Sequence, residues 1–354
     1  MSSYEVIGLM SGSSLDGIDI VHVRFTKDEK WHYEILHTHC YAYSASFIDQ
    51  LVHSKNLDVY GIASFHTTIA IHTADYVNEF ISSYNINKKD ILLLASHGQT
   101  IVHQPHRGFT LQLGCGATLA ALTKINVVSD FRTKDVALGG QGAPMVPIGE
   151  KYLFPQYKVF LNIGGISNIA IHHPDAIIGY DVGPGNTLLN FLSRKAGSAY
   201  DAGGAMALQG KVERTLFQQL NTIPFYTFPI PKSMGTEYIE KNFFSAFDHL
   251  SISDALATAV EHIAFQIAHS INSYPFSSVF VTGGGAKNCF LIDRIKHYAP
   301  QKEIVTPEPI IIDYKEALII GFAGLLRYLE KPNFLATVTG AKHDSVGGAL
   351  YLWY

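Results

Sequence analysis

The segment Gly8–Asp19 reads GLMSGSSLDGID and separates two runs of strand-forming residues, Tyr4–Met10 and Ile18–Phe25. A third run, Trp31–Tyr43, follows a charged turn at Lys27–Lys30. Apolar and β-branched runs that are bounded by glycine, serine and aspartate predict strands. The sequence therefore predicts an antiparallel meander of three strands, whose first turn is rich in glycine and hydroxyl groups.

The same pattern starts again in the second half of the chain. Three short strands are predicted at Lys158–Ile163, Asn168–His172 and Ile177–Asp181, and a helix is predicted to begin near Asn186. A strand and a helix follow each meander, and the clearest of these elements are the strands Ile91–Ser96 and Ser278–Thr282 and the helices Cys289–Tyr298 and Tyr314–Glu330. The repeated order predicts a duplicated α/β unit, with domains at residues 1–125 and 126–354, rather than a simple doubly wound sheet.

Glycine-rich segments that can bind phosphate follow or separate these strands. They are Gly8–Asp19 (GLMSGSSLDGID), Leu161–Asn168 (LNIGGISN), Gly179–Asn186 (GYDVGPGN) and Val279–Asn288 (VFVTGGGAKN). Glycine lets successive backbone N–H groups converge on an anion, although any one segment alone is also typical of an ordinary hairpin turn. The chain contains neither GxxxxGK[ST] nor GxGxxG, so neither a P-loop nor a Rossmann site is indicated. The four segments together predict that hairpin turns hold phosphate.

Length and composition indicate a folded protein that acts on a small molecule. The 354 residues exceed what one hydrophobic core usually serves, which predicts two domains with a ligand site in the cleft between them. The chain is 47% hydrophobic and 16% charged, as expected for a globular protein. A net charge of −4 without a basic block argues against nucleic acid or anionic lipid as a partner.

The cysteines and the apolar runs point to a cytoplasmic protein. Cys40, Cys115 and Cys289 are far apart and have no CxxC spacing, which argues against a disulfide framework or a thiolate metal site. The N-terminus has no basic stretch followed by a sustained apolar one. The longest uncharged apolar run, Ala317–Leu326, is about half of the ~20 residues that a membrane-spanning helix needs.

The glycine-rich turns resemble those of the actin-like ATPase and sugar-kinase superfamily, and the whole chain resembles the anhydro-N-acetylmuramic acid kinase family. The motifs that carry the resemblance are IGLMSGSSLDGID at 7–19, SHGQT at 96–100, TLQLG at 110–114, VVSDFRTKDVALGGQGAPMVP at 127–147, LNIGGISN at 161–168, YDVGPGN at 180–186, PKSMG at 231–235, TGGGAKN at 282–288, KEAL at 315–318 and TG at 339–340. Two departures are SGSSLDG for the usual SGTSLDG, and YDAGG at 200–204, where the family tends to have an acidic residue before the second glycine.

The resemblance implies a two-domain actin-like, ribonuclease H-like fold that binds ATP and Mg²⁺ in the cleft. It implies hydrolytic opening of a 1,6-anhydro bridge with phosphorylation of O6, which gives N-acetylmuramic acid 6-phosphate and ADP during peptidoglycan recycling. It also suggests a homodimer. Together with the glycine-rich segments, it predicts ATP contacts at Gly12, Ser13, Ser14, Leu15, Asp16, Gly17, Ile18, Asp19, Gly164, Gly165, Gly183, Gly185, Asn186, Gly283, Gly284, Gly285 and Asn288.

Asp181 is the candidate catalytic base. It follows a predicted strand and precedes Gly183-Pro184-Gly185, and a carboxylate within reach of water can accept its proton. From the residues alone, an aspartate that caps a turn is an open alternative, whereas the resemblance assigns to Asp181 the activation of water at the anomeric carbon. Arg132 is the second catalytic candidate, because a guanidinium there can orient Asp181 or bind a sugar oxygen, and an interdomain salt bridge is its alternative.

The remaining candidates bind metal or sugar. Asp16 is a possible contact to Mg²⁺ through a bound water, with a turn residue as the alternative. Predicted substrate contacts are Ser96, His97, Gln99, Thr100, Asp135, Gln141 and Glu316. Ser96 and His97 point to opposite faces of a strand, so they do not form a nucleophile and base pair. For Glu316, stabilisation by a helix N-terminus is the alternative.

The histidine spacing and the substrate chemistry leave two rival functions. None of the 17 histidines has a partner at i, i+4, which disfavours the metal-dependent branch of the superfamily. One rival is a kinase for levoglucosan, which has the same anhydro bridge without lactyl or acetamido groups. The other is a nucleotide-driven switch of the actin type, which has no small substrate.

Overall fold

The computed structural model describes residues 2–12, 15–173 and 176–353. In chain order, the strands are Ser2–Ser11 (β1), Gly17–Lys27 (β2), Trp31–Ala42 (β3), Ile91–Ser96 (β4), Gln99–Gln104 (β5), Phe109–Leu113 (β6), Val127–Ser129 (β7), Val159–Ile163 (β8), Ile166–His172 (β9), Ile177–Pro184 (β10), Ser278–Thr282 (β11), Glu303–Val305 (β12) and Ala349–Tyr351 (β13).

The α-helices are Ala45–His53 (α1), Val59–Ser83 (α2), Gly116–Thr123 (α3), Thr133–Ala137 (α4), Val146–Leu153 (α5), Asn186–Arg194 (α6), Ala205–Leu208 (α7), Arg214–Asn221 (α8), Thr236–Phe243 (α9), Ile252–Asn272 (α10), Cys289–Tyr298 (α11), Pro309–Tyr328 (α12) and Ala336–Thr339 (α13). Short 3₁₀ turns lie at Ser54–Asn56, Pro105–Arg107, Ala202–Gly204, Pro224–Thr227, Phe244–Phe247 and Gly284–Lys287. Across these described ranges, no helix has the length and apolarity to span a bilayer.

The chain divides by its internal contacts into two compact units. The first comprises residues 1–155 and 314–354, and the second comprises residues 156–313. Strand β7 pairs with β4 and with β13, so the segment directly after residue 125 belongs to the sheet of the first unit. The division therefore lies at other positions than the predicted domains 1–125 and 126–354.

The first unit is built on the sheet β13-β7-β4-β1-β2-β3. Strands β1, β2 and β3 form the predicted antiparallel meander, and β4 and β7 extend it in parallel from β1. Ile7 and Leu9 on β1 and Ile20 on β2 are buried in one hydrophobic core cluster. Gly8 lets α12 approach β1 closely, because a side chain at this position would overlap the carbonyl oxygen of Ala317.

The second unit is built on the sheet β10-β9-β8-β11-β12. Again three strands form an antiparallel meander, while β11 runs parallel to both β8 and β12. The first unit repeats this order as β3-β2-β1-β4-β7. Because the two sheets have the same strand order and directions, the predicted duplication and the two-domain actin-like α/β fold class are confirmed.

Helices were harder to predict than strands. The predicted helix Tyr314–Glu330 begins earlier, at Pro309, because proline is well suited to the first turn of a helix. It ends before Glu330, whose φ of 55° is left-handed. Helix α10 was missed, because it is buried on nearly all sides and so lacks the polar face that gives a helical period.

Candidate active-site residues

The glycine-rich turns of the second unit meet at one end of its sheet. The N–H of Gly185 donates to Gly165 O (2.9 Å), and the N–H of Asn186 donates to Gly164 O (2.8 Å). Gly283 follows β11 with φ 82°, and a Cβ there would lie 2.6 Å from the Ile163 carbonyl oxygen. Three of the four predicted phosphate segments therefore converge, and the amides of Gly185 and Asn186 hold two of them together.

A pocket of about 300 Å³ adjoins these turns in the second unit. Its lining includes the predicted ATP residues Asn186, Gly284 and Asn288, together with Tyr200 and Gly203. This volume is at the lower end of the ~300–1,000 Å³ range of small-molecule sites. The pocket thus has the size of a small-molecule site.

The walls of this pocket are held by side chains that cap helices. The carboxylate of Asp201 accepts hydrogen bonds from the N–H groups of Met206 (2.8 Å) and Ala207 (3.0 Å). The side-chain oxygen of Asn288 accepts from the N–H of Leu291 (3.0 Å) and caps α11. Both side chains are buried. Asp201 and Asn288 therefore shape the pocket by fixing the backbone of the helices beside it. The local sequence did not indicate this role for Asp201.

Asp181 lies on β10, an edge strand of the second unit, directly before a register shift at Gly183. The Asp181 N–H donates to Lys232 O (2.9 Å), and its Oδ2 accepts from the Met234 N–H (2.8 Å). Burial raises the pKa of the Asp181 carboxyl group, while the bond from Met234 lowers it. The result is a half-buried carboxylate held in one orientation. Lys232 and Met234 were not predicted as site residues, although they lie in the matched motif PKSMG.

Half-buried Arg132 and buried His97 form a hydrogen-bonded pair in the first unit. His97 Nδ1 donates to Gly98 O (2.8 Å), and its Nε2 accepts from Arg132 Nε (2.9 Å) and NH2 (2.8 Å). Arg132 NH1 donates to Gly142 O (2.9 Å). Burial, and next the Arg132 charge, lower the pKa of His97 to about 3. His97 is therefore a neutral acceptor that fixes the guanidinium.

The loop with the sequence GGQGAP is held by Asp135. This residue is fully buried, and its two carboxylate oxygens accept from the Gly142 N–H (2.7 Å) and from Thr339 Oγ1 (2.8 Å). The Gln141 N–H donates to Thr339 O (2.8 Å), while the residue itself is exposed. The described contacts of Asp135 thus position the loop. Gln141 is the predicted substrate contact of this loop that is exposed.

The first glycine-rich loop is tied to Gln99. Ser11 Oγ contacts both Tyr43 OH (2.7 Å) and Gln99 Oε1, and Gln99 Nε2 donates to Gly12 O (3.3 Å). Gln99 is buried, so the described contacts of its amide support the loop. The predicted ATP contacts Ser13 and Ser14 lie outside the described residues.

The other predicted residues differ in exposure. Gly17, Ile18 and Ser96 are buried, whereas Asp16, Thr100 and Glu316 are exposed. Within residues 2–12, 15–173 and 176–353, no group of three or more His, Cys, Asp and Glu side chains is arranged to hold a metal ion. The possible contact of Asp16 to Mg²⁺ through a bound water remains a prediction.

Sequence comparison covers nearly the whole chain. The family model described as anhydro-N-acetylmuramic acid kinase matches residues 4–353. An anhydro-N-acetylmuramic acid kinase of Shewanella loihica is 35% identical over 370 residues and covers 99% of both chains. One of Pasteurella multocida is 35% identical over 364 residues, with 98% of this chain and 96% of the relative covered.

Two solved structures that the chain resembles are more distant in sequence. The activator of the 2-hydroxyisocaproyl-CoA dehydratase of Clostridium difficile has 12% identity and a TM-score of 0.47, with 90% and 94% of the two chains covered. A ROK family glucokinase of Streptomyces griseus has 11% identity and a TM-score of 0.40, with 91% and 99% covered. These structural similarities are too distant to carry an argument, whereas the sequence matches cover almost all of this chain and of each relative. The chain belongs to the anhydro-N-acetylmuramic acid kinase family.

Proposed function

We propose that this protein is an ATP-dependent kinase that opens the anhydro bridge of 1,6-anhydro-N-acetylmuramic acid with water and phosphorylates O6. The products are N-acetylmuramic acid 6-phosphate and ADP, as expected of an enzyme of cell-wall recycling. The observation that carries the proposal is the position of Asp181. It lies four residues before Gly185, whose N–H donates to Gly165 O in a second glycine turn of the same unit. A half-buried carboxylate and one of the candidate phosphate loops are therefore on one continuous segment, which bonds to a second such loop.

Asp181 acts as the general base. Its carboxylate accepts a proton from water as the water oxygen bonds to C1 and the bond between C1 and O6 breaks. O6 then accepts the γ-phosphoryl group as the bond from that phosphorus to the bridging oxygen of ADP breaks. The raised pKa of Asp181 increases its proton affinity, which makes it a stronger base at neutral pH. The bond from Met234 engages Oδ2, so Oδ1 is the oxygen that accepts the proton from water in this proposal.

Arg132 binds an oxygen of the sugar. Three of its N–H groups face His97 and Gly142, and a guanidinium has five. The remaining N–H groups suit a carboxylate or hydroxyl oxygen of the substrate. Thr100, Gln141 and Glu316 are the exposed polar candidates for further sugar contacts.

Mg²⁺ is the proposed cofactor, because phosphoryl transfer depends on neutralising phosphate charge. Asp16, in the first glycine-rich loop, is the carboxylate that would hold the hydrated ion. The loop residues Gly12–Asp19 and Gly283–Gly285 remain predicted ATP contacts. The homodimer that the resemblance suggests, and the cytoplasmic location that the cysteines and the apolar runs suggest, also remain predictions.

Replacing Asp181 by asparagine tests the base. We expect sugar-dependent ADP release to fall by about 10²–10⁴-fold, because the amide cannot accept the proton, while ATP binding stays within about twofold since the glycine turns are unchanged. The assay couples ADP release to NADH oxidation and identifies the 6-phosphosugar by mass spectrometry. Asp248→Asn is the matched control, since Asp248 is an exposed carboxylate of the same unit that pairs with Lys195.

Three results would contradict the proposal. Wild-type turnover retained in Asp181→Asn would remove Asp181 as the base. A higher kcat/KM for levoglucosan than for the anhydromuramic sugar would favour the rival sugar kinase. ATP turnover that does not respond to either sugar would favour a nucleotide switch.

A further inference from the structure

Asp181 is held by a segment that has no regular secondary structure. Residues 232–235 belong to no helix or strand, yet this segment covers the free edge of β10. The carbonyl oxygen of Lys232 accepts from the Asp181 N–H (2.9 Å), and the Met234 N–H donates to the Asp181 carboxylate (2.8 Å). Both the backbone and the side chain of Asp181 therefore depend on where this segment lies.

The Lys232 ammonium is the polar anchor of the segment. Its Nζ donates to the carbonyl oxygens of Phe225 (3.0 Å) and Tyr226 (3.2 Å), and it lies 4.6 Å from the centre of the Phe225 ring. These carbonyls belong to the 3₁₀ turn Pro224–Thr227. The Met234 side chain is buried in the core of the second unit and is the apolar anchor. The ammonium thus joins the turn to the two residues that hold Asp181.

The 3₁₀ turn Pro224–Thr227 is also held by contacts of Tyr226 with α10 and with β10 just after Asp181. Tyr226 OH donates to Nε2 of His262 (2.6 Å), which is fully buried on α10. The same hydroxyl lies 3.2 Å from where a Cβ would stand at Gly183, two residues after Asp181. Tyr226 therefore packs against β10 directly beyond the base, and Lys232 connects this packing to the segment before α9.

We propose that Lys232 is a positioning residue for the base: its ammonium holds the carbonyls of Phe225 and Tyr226, and this keeps the Met234 N–H on the Asp181 carboxylate. The inference rests on the proposed function of Asp181. Without the ammonium, the segment loses its polar anchor and the carboxylate loses its fixed orientation. Burial raises the Asp181 pKa, and the bond from Met234 lowers it. Loss of this bond should therefore raise the Asp181 pKa further.

Lys232→Met removes the ammonium and keeps an unbranched side chain over the Phe225 ring. We expect kcat to fall about 10- to 100-fold, since a displacement of about 1 Å at a reacting group has an effect of this size. The acidic limb of the pH profile of kcat should move to higher pH, because Asp181 then stays protonated over a wider range. The KM for ATP should remain within about twofold.

Lys302→Met is the matched control. Lys302 is also a partly buried lysine of the second unit whose Nζ donates to two carbonyls, those of Tyr274 (2.6 Å) and Phe276 (2.8 Å). It makes the same kind of bond without touching the segment at Asp181, so kcat and its pH profile should stay close to wild type. Lys232→Arg keeps the charged donors and should restore most of the activity. Lys232→Gln is measured alongside as a second variant without the charge.

The outcomes separate this inference from the proposed function. If Asp181→Asn keeps wild-type turnover, Asp181 is not the base and both proposals fall. If Asp181→Asn is inactive while folded Lys232→Met and Lys232→Gln show the kcat and pH profile of Lys302→Met, only the role of Lys232 is overturned. A lower kcat with an unmoved acidic limb would also overturn it, because a purely structural lysine gives that result.

Discussion

The neutral state of His97 makes a quantitative prediction about acid stability. The imidazole is buried, its Nδ1 donates to Gly98 O, and its Nε2 faces two N–H groups of Arg132. A proton on Nε2 would therefore destroy the acceptor and place two positive charges in contact. The substitution His97→Gln removes the titrating ring and keeps an oxygen that can accept from Arg132.

The magnitude follows from the pKa of about 3 in the folded state. Because this value is below the ~6.5 of an unfolded chain, the unfolded state binds more protons between the two values. The contribution of the neutral imidazole to the free energy of unfolding is therefore complete above about pH 6.5. It is lost as the pH falls toward the folded pKa of His97. At about 1.4 kcal/mol per pKa unit, the loss reaches roughly 2 kcal/mol at pH 5 and about 5 kcal/mol at the acid limit.

Urea unfolding followed by tryptophan fluorescence measures this effect in the first unit. Trp31 and Trp353 are the two tryptophans of the chain, and both belong to this unit. Between pH 7.5 and pH 5, the wild type should lose about 2 kcal/mol more free energy of unfolding than His97→Gln. His106→Gln, on an exposed histidine of the same unit, is the control and should follow the wild type. Equal pH dependence in wild type and His97→Gln would refute a neutral buried imidazole.

Two further substitutions test the loops. Gly283→Ala should weaken ATP binding at least tenfold in calorimetry, since its φ of 82° disfavours a side chain and the new Cβ would lie 2.6 Å from Ile163 O. Gly197→Ala shares the left-handed φ but meets no atom within 4 Å, so equal losses in the two variants would exclude a steric cause. Asp135→Asn should lower the free energy of unfolding by about 1–3 kcal/mol, because its amide turns a donor toward a buried donor such as the Gly142 N–H. An unchanged urea midpoint would contradict that role.

Much of the fold was predictable because strands and turns are local. The meander strands, the strand Ile91–Ser96 and the helix Cys289–Tyr298 were predicted from runs of apolar residues and from glycine. The hairpin strand β5 is hard to predict from sequence, because it carries polar residues such as Gln99 and Gln104. Helix α10 escaped prediction because burial on nearly all sides weakens the period by which a surface helix is recognised.

The members of the candidate site remain predictions, and the structure adds contacts that the sequence did not indicate for several of them. The glycine turns at 164–165 and 283–285 do converge, as their pattern suggested. Gln99, His97 and Asp135 were predicted to touch the sugar, yet their described contacts support other parts of the protein. Polar residues at strand ends look alike in sequence whether they face a ligand or a loop.

The sequence by itself determined the family, the repeated sheet and the positions of the glycine turns, because these features depend on motifs and on the conformations of neighbouring residues. Only the tertiary structure decided that Thr339 bonds to Asp135, 204 residues away, and that Met234 bonds to Asp181, 53 residues away. The physical reason is that a hydrogen bond requires two atoms at a definite distance and angle. Folding of the whole unit sets that geometry, and no local pattern of residues records it.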